Sequence, residues 1–171
     1  MKVFDPLPFQ VLIEPLTAEA FKPFGQVTDM ASRERRNHIS GAFERTPEAV
    51  EPRLWVATLL QAVQLPLALG LLERHPYSAQ SFMPVNACPY VVVVCHPDDS
   101  GEPDLASLRG FLAAPGQGVT YARNVWHHGL SVLQAPAQFI VCMSFTGEGG
   151  DDIFLPLDVP VQLVLKDAPH V

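Results

Sequence analysis

The chain has 171 residues, of which 48% are hydrophobic, and a formal net charge of −7 at pH 7. A chain of this length and composition can bury one core, so we expect a single domain over residues 1–171. The acidic balance provides no extended positive surface, which argues against a nucleic-acid partner. No apolar stretch of the sequence approaches the roughly 20 residues that cross a bilayer. We therefore expect a cytoplasmic protein that binds neither nucleic acid nor membrane.

Three cysteines, Cys88, Cys95 and Cys142, occur at spacings that form no C-x-x-C pair. An odd number without a metal-binding or redox spacing favours free thiols over a disulfide framework. Two of them lie in strongly apolar runs, where cysteine behaves as a small core residue. We expect reduced thiols without a catalytic role.

Seventeen prolines are spread along the chain, which indicates many short elements with abrupt ends. Thr17 is suited to cap a short helix over residues 18–21, which Pro23 and Gly25 bring to an end. Residues 29–51 are polar and are arginine-rich in their first half, so we expect an irregular segment. This segment is either a solvated loop or a lid that closes over an anionic substrate.

The remaining pattern is mainly that of strands. The run YVVVVC at residues 90–95 predicts a strand buried on both faces, at the middle of a sheet. Asp104 precedes three leucines and a phenylalanine at helical spacing, so this pattern predicts a helix over residues 104–113. About nine short strands and two short helices, separated by turn signals, indicate a mainly β fold, either a sandwich or a small barrel.

The stretch PGQGVTYARNVWHH at residues 115–128 combines turn glycines, an alternating strand and two adjacent histidines. We expect a strand over residues 119–123, whose alternation places Tyr121 and Arg123 on one face. A second strand segment after the turn would point His127 and His128 in opposite directions. Only one of these two histidines can then face the interior.

Polar residues that a β-barrel could gather inside come from this stretch and from residues 73–80. The candidates are Glu73, His75, Gln80, Tyr121, Arg123, His127 and His128. Two imidazoles with a carboxylate or amide oxygen can hold a divalent metal, and imidazole suits nickel, zinc or iron. The spacing contains no recognised metal motif, and the same histidines could instead satisfy buried hydrogen bonds.

Four segments of the chain carry a family resemblance. They are PLTAEAFKPFG at 15–25, ERHPYSAQSFMP at 73–84, PDLASLRGF at 103–111 and GQGVTYARNVWHH at 116–128. In sequence, order and separation they resemble the ureidoglycolate lyase family, and the likeness covers nearly the whole chain. The resemblance implies one cupin-like β-barrel domain, a double-stranded β-helix with a few short helices, and usually a homodimer. It also implies an enzyme that releases urea from ureidoglycolate to give glyoxylate, in allantoin and purine breakdown.

The reaction needs a base, an acid and an anchor for the substrate's carboxylate. Free imidazole changes its charge near neutral pH, so the histidines at 75, 127 and 128 are expected to act as acid and base. Arg123 is expected to grip the carboxylate through its planar fork of donors.

The same pocket is expected to hold further contacts to the substrate, from Glu73, Gln80 and Tyr121. A second interpretation makes His75, His127 and Gln80 ligands of a divalent metal that polarises substrate oxygens, and the resemblance favours Ni²⁺. The residue types alone do not choose between proton transfer and metal binding.

The chain also departs from the family pattern. Ala122 follows Tyr121 where the family commonly has histidine, and the Asp-Arg pair that the family often carries at the strand ending near Ser144 is absent. These differences favour an alternative function, in which a cupin-like protein binds, or acts on, another small carboxylate or ureido compound.

Overall fold

A computed structural model of the protein describes residues 9–166. This part of the chain contains twelve strands: β1 Gln10–Pro15, β2 Gly25–Asp29, β3 Glu51–Leu59, β4 Leu67–Arg74, β5 Gln80–Pro84, β6 Tyr90–Cys95, β7 Arg109–Ala113, β8 Gln117–Tyr121, β9 Trp126–His127, β10 Ser131–Val132, β11 Ala137–Phe145 and β12 Ile153–Leu165. One α-helix, α1 (Ala18–Phe21), and one 3₁₀ turn (Leu105–Ser107) accompany them. The prediction of a mainly β fold is confirmed.

The strands form two sheets. The larger sheet has the order β10-β6-β7-β1-β12-β4-β9, and β9 also pairs with β6, so that six strands close into a barrel. The smaller sheet has the order β2-β8-β5-β11-β3. Buried side chains from both sheets meet in one apolar cluster, which shows that the smaller sheet packs over one face of the larger. A second apolar cluster fills the interior of the closed strands. The architecture is that of a cupin-like β-barrel.

Strand β6 is the wall between these two cores. Tyr90, Val92 and Val94 pack into the core between the sheets, whereas the alternate residues pack into the barrel interior. All six residues of β6 are buried, as the continuous apolar run predicts. Burying each aliphatic side chain contributes about 1.5–3 kcal/mol relative to leaving it exposed, so β6 is a principal source of stability.

The helix predicted over residues 104–113 is wrong. Asp104 does cap a turn, since its Oδ1 accepts from the backbone N–H of Ala106 at 3.1 Å, but only the 3₁₀ turn follows. The chain then continues as β7, which pairs with β6 on one side and β1 on the other. Phe111 and Leu112 consequently face the two different cores. Pairing on both edges of β7 outweighs the weak helical preference of this short segment.

The short N-terminal helix is confirmed. Oγ1 of Thr17 accepts from the backbone N–H of Ala20 at 3.1 Å, and Phe21 is fully buried beneath it. Within residues 9–166, no helix is long and apolar enough to cross a membrane. The three thiols are free, with Cys88 and Cys95 buried and Cys142 partly exposed.

The segment between β2 and β3 lacks helix and strand, as the sequence predicts. Its arginine-rich half is exposed. Its second half is fixed to the turn between β4 and β5, because the backbone N–H of Thr46 donates to the carbonyl of Tyr77 and that of Ala79 to the carbonyl of Glu44, each at 2.8 Å. The segment therefore lies beside the residues that follow His75.

Candidate active site

Two sheets supply the side chains of a polar cluster at one end of the core between them. Register places Glu73 of β4 directly opposite His127 of β9, and Gln80 of β5 directly opposite Tyr121 of β8. Directly opposed residues of antiparallel strands share a face. His75 lies one residue beyond β4, so it enters the same space from the turn between β4 and β5.

The two histidine rings lie against each other. Their centroids are 5.0 Å apart, and the Tyr121 ring stacks on His127 at 4.1 Å with 12° between the planes. Nε2 of His127 is 3.3 Å from Oε1 of Gln80 and 3.4 Å from Oε1 of Glu73. His75 is 3% exposed and His127 is fully buried. The prediction that the turn-strand pattern brings His75 together with one of the two adjacent histidines is confirmed.

The hydrogen bonds of the His75 ring define which of its nitrogens carries the proton. Nδ1 of His127 is 3.0 Å from the carbonyl oxygen of Val125. Nδ1 of His75 is 2.9 Å from Oδ1 of Asp152 and 3.2 Å from the carbonyl oxygen of Asp151. Carbonyl and carboxylate oxygens accept and do not donate, so Nδ1 carries hydrogen in the His75 ring. In the neutral His75 ring, Nε2 then presents a lone pair. In the His127 ring both nitrogens face oxygen acceptors, the carbonyl of Val125 at Nδ1 and the side chains of Gln80 and Glu73 at Nε2.

Acceptor atoms crowd the centre of this cluster. Nε2 of His75 is buried without a hydrogen-bond partner, while Nε2 of His127 faces oxygen atoms of Gln80 and Glu73. One ligand atom each from Glu73, His75 and His127 lies within 4.8 Å of the others. Two imidazole nitrogens, a carboxylate and an amide oxygen suit a divalent transition metal. The residues present therefore fit such an ion.

Burial and charge set the protonation of the cluster. Burial lowers the pKa of His127 below its ordinary value and so favours the neutral ring. The neighbouring Glu73 opposes this effect on the pKa without cancelling it. Burial raises the pKa of the Glu73 carboxyl, but the hydrogen bond with His127 and the histidine charges outweigh it, so the pKa is lowered overall. Burial, and then the Glu73 charge, raise the pKa of Tyr121 far above its ordinary value. At neutral pH the cluster thus contains an ionised carboxylate, a neutral His127 and a neutral phenol.

His128 is not brought into the cluster. Its Nε2 is 2.9 Å from Oγ of Ser131 and its Nδ1 is 3.3 Å from the carbonyl oxygen of Leu71. These contacts join the end of β9 to β4 and to β10 of the larger sheet. Of the two adjacent histidines, the inward-facing one is His127.

Arg123 differs from its expected position. The strand predicted over residues 119–123 ends at Tyr121, and a turn follows in which the N–H of Val125 donates to the carbonyl of Ala122 and Asn124 has a φ of 66°. The expectation that alternation puts Arg123 on the face of Tyr121 is therefore wrong. Its side chain is exposed, and Nη1 donates to the carbonyl oxygen of Pro76 at 3.1 Å. Arg123 lies beside the residue that follows His75, outside the buried cluster.

One residue in contact with the cluster was absent from the candidates derived from the sequence. Asp152 lies in the loop between β11 and β12, 77 positions after His75 in the chain. Its glycine-rich surroundings indicate a loop, and nothing in that composition links it to a histidine so far away. Only the fold brings the two together.

The fold and the cluster define a class: a cupin-like β-barrel that gathers two imidazoles, a carboxylate and an amide between its sheets. The model of the ureidoglycolate lyase family matches residues 9–154. The chain therefore belongs to the ureidoglycolate lyase family.

Curated relatives agree with this assignment. A ureidoglycolate lyase of Brucella anthropi is 41% identical over 139 residues, covering 77% of this chain and 80% of the relative. One of Mesorhizobium japonicum is 38% identical, covering 83% and 88%. One of Rhodobacter capsulatus is also 38% identical, covering 89% and 96%.

Proposed function

We propose that this protein is a ureidoglycolate lyase, which releases urea from ureidoglycolate to give glyoxylate in allantoin and purine catabolism. The names of its curated relatives and its family support this activity. The single structural observation that carries the proposal is the buried, unpartnered Nε2 of His75, which lies within 4.8 Å of ligand atoms of His127 and Glu73. Such an arrangement is built to receive a proton or a cation together with a polar substrate.

The reaction breaks the O–H bond of the hydroxyl and the C–N bond to the ureido group, and forms a carbonyl. The hydroxyl proton must leave, and the departing nitrogen must gain one. Nε2 of His75 has a free lone pair and accepts the first proton in a metal-free form of the mechanism. The same nitrogen then returns the proton to the ureido nitrogen, so the site ends in its starting state.

The geometry favours a metal-dependent form, since a cation would satisfy the unpaired Nε2 of His75 and bind the neighbouring ligand atoms of Glu73 and His127 at the same time. Glu73, His75 and His127 would hold the ion, with the amide oxygen of Gln80 beside it. A divalent ion in this position supplies a Lewis acid that polarises substrate oxygens. Nitrogen and oxygen ligands are compatible with Ni²⁺, which the family resemblance favours.

The chain's other polar residues bind and orient the substrate. Arg123 is proposed to hold the carboxylate at the edge of the cluster, because its planar guanidinium retains free donors beyond the one used by Pro76. The ring of Tyr121 covers one face of His127 and limits where a substrate can lie. The amide of Gln80 contacts His127 and is proposed to contact the ureido group.

The protein is further proposed to be a cytoplasmic homodimer. Strand β3 is an edge of the smaller sheet, and it exposes Leu54 by 71% and Val56 by 56%. A long, exposed apolar edge strand tends to pair with another chain, and two copies of β3 can pair antiparallel about a two-fold axis. Sedimentation of the wild-type protein and of a Leu54→Lys variant tests this: a dimer that becomes a monomer on substitution supports it, and a wild-type monomer refutes it.

Turnover of ureidoglycolate by the purified protein tests the proposed activity. Urea and glyoxylate should appear in equal amounts, with activity lost on chelation and restored by Ni²⁺. Activity that survives chelation would exclude the metal-dependent form and retain the proton-transfer form.

The alternative is a protein that binds another small carboxylate or ureido compound, which Ala122 in place of the family's usual histidine favours. Ligand-induced stabilisation by such a compound, without any release of urea, would establish that alternative.

A further inference from the structure

The loop between β11 and β12 contains two adjacent acids with different surroundings. Asp151 is 5% exposed, and its carboxylate accepts from the backbone N–H of Thr146 at 2.7 Å and from Oγ1 of the same residue at 2.9 Å. Three glycines inside the loop have positive φ values between 77° and 91°. Glycine adopts this conformation without strain, so the loop can fold back on itself. The hydrogen bonds between Asp151 and Thr146 then hold the two ends of the loop together. The carboxylate of Asp151 is thereby occupied within the loop.

The closed loop places Asp152 against the cluster. Its Oδ1 lies 2.9 Å from Nδ1 of His75, while its side chain remains 42% exposed. The carbonyl oxygen of Asp151 approaches the same nitrogen at 3.2 Å. Nδ1 of His75 therefore has two acceptors and Nε2 has no partner.

We propose that Asp152 is a positioning residue that fixes the tautomer and orientation of His75, a role that rests on the proposed function of the cluster. By accepting the Nδ1–H hydrogen, the carboxylate keeps the hydrogen away from Nε2. The lone pair of Nε2 then remains available inside the cluster, either to take a proton or to bind a metal. A carboxylate behind a histidine also raises the basicity of the imidazole.

Stability alone does not account for this contact. An ion pair with one half-exposed partner contributes little to folding, because solvent screens it and the side chain loses freedom. The contact is instead specific in geometry, because it joins Asp152, at the end of the closed loop, to Nδ1 of the buried His75 ring. Such carboxylate partners of histidine ligands change metal affinity or activity by about 10- to 100-fold when they are removed.

The tautomer of His75 can be measured directly by ¹⁵N NMR of the imidazole nitrogens, with His75→Gln used to assign its signals. In the wild-type protein, Nδ1 should carry the hydrogen and Nε2 should be unprotonated. In Asp152→Ala, a substantial fraction should shift to the Nε2–H tautomer. Asp152→Asn keeps an oxygen acceptor without the charge, so it should retain the wild-type tautomer. A His75 that keeps the Nδ1–H tautomer in Asp152→Ala would assign the role to the carbonyl of Asp151 and overturn the proposal.

Titration with Ni²⁺, followed by calorimetry, gives the second readout. We expect Asp152→Ala to weaken Ni²⁺ binding about 10- to 100-fold, and Asp158→Asn, an exposed acid of β12, to leave it unchanged. Equal Ni²⁺ affinity in wild type and Asp152→Ala would contradict the proposal. Neither readout needs the substrate, so a protein that fails to turn over ureidoglycolate yet shows both effects would refute the proposed reaction and leave the role of Asp152 supported.

Discussion

The two ends of the core between the sheets differ in how their polar atoms are paired. At the apolar end, the rings of Tyr90 and Phe139 meet edge to face at 5.1 Å, and the Tyr90 hydroxyl donates to the carbonyl of Gln117 at 2.8 Å. At the polar end, Nε2 of His127 faces two oxygen acceptors, and Nε2 of His75 is buried without a partner. The same pair of sheets completes the hydrogen bonds of one end and leaves those of the other incomplete.

This difference indicates that the apolar end contributes mainly to stability and the polar end mainly to function. A buried polar group left unpaired costs about 1–3 kcal/mol, which the apolar end avoids. The polar end keeps this cost at Nε2 of His75, which gains a partner when a proton, a cation or a substrate arrives. Substitutions at the polar end should therefore change activity more than stability, and substitutions at the apolar end should do the reverse.

The largest expected effect belongs to Glu73. Glu73→Gln removes the negative charge at the polar end with little change in volume, and we expect the rate of urea release to fall by about 10²- to 10⁴-fold. The melting temperature should fall only slightly, because the glutamine amide keeps an oxygen acceptor beside His127 in place of the charge that the folded state favours. Glu34→Gln, on the exposed loop, is the matched control. Near wild-type turnover by a folded Glu73→Gln protein would place the chemistry elsewhere.

At the apolar end, Phe139→Ala removes a fully buried ring. It should lower the free energy of unfolding by about 3–5 kcal/mol, measured with guanidinium chloride. The turnover number of the protein that remains folded should stay near that of the wild type. A loss of turnover as deep as that of Glu73→Gln would show that the two ends are not functionally distinct.

An intermediate effect is expected for Arg123, which lies outside both ends. Arg123→Lys keeps the charge and loses the planar fork, so KM for ureidoglycolate should rise while the fold stays intact. A charge-assisted pair is worth about 1.5–3 kcal/mol, which corresponds to a loss of about one to two powers of ten in kcat/KM. Unchanged kinetics would show that the carboxylate is held elsewhere, by the exposed arginines between β2 and β3 or by a metal.

The smallest effect concerns the thiols, which report how well the cores exclude reagents. Burial, and then the charge of Asp104, raise the pKa of Cys95 to about 12, and burial raises that of Cys88. Both should resist alkylation at pH 8, while the partly exposed Cys142 reacts first. Mass spectrometry of the alkylated peptides gives the order. Early labelling of Cys95 would show that the barrel interior opens readily.

Much of the fold could be predicted from local patterns in the sequence. The β-branched run at residues 90–95 specifies a strand buried on both faces, and Thr17 specifies a helix start. The helix predicted over residues 104–113 is wrong for a physical reason. Apolar residues at helical spacing also suit a strand whose alternate side chains pack into two different cores. Strand β7 meets that condition only because β6 and β1 flank it.

The candidate site was predictable in part. Alternation shows that only one of His127 and His128 points inward, and the structure decides in favour of His127. The position of Arg123 could not be predicted, because the strand ends two residues earlier in a turn that Asn124 completes with a positive φ. Asp152 could not be predicted either, since its contact with His75 depends on the closure of a distant loop.

The most direct test of the central claim compares the turnover numbers for urea release of two variants, one from each end of the same core. His127→Gln removes an imidazole from the polar end, and Tyr90→Phe removes one hydroxyl from the apolar end. We predict that His127→Gln loses about 10²- to 10⁴-fold in turnover, whereas Tyr90→Phe stays near the wild-type value. Equal turnover in the two folded variants would contradict the assignment of the active site to the polar end.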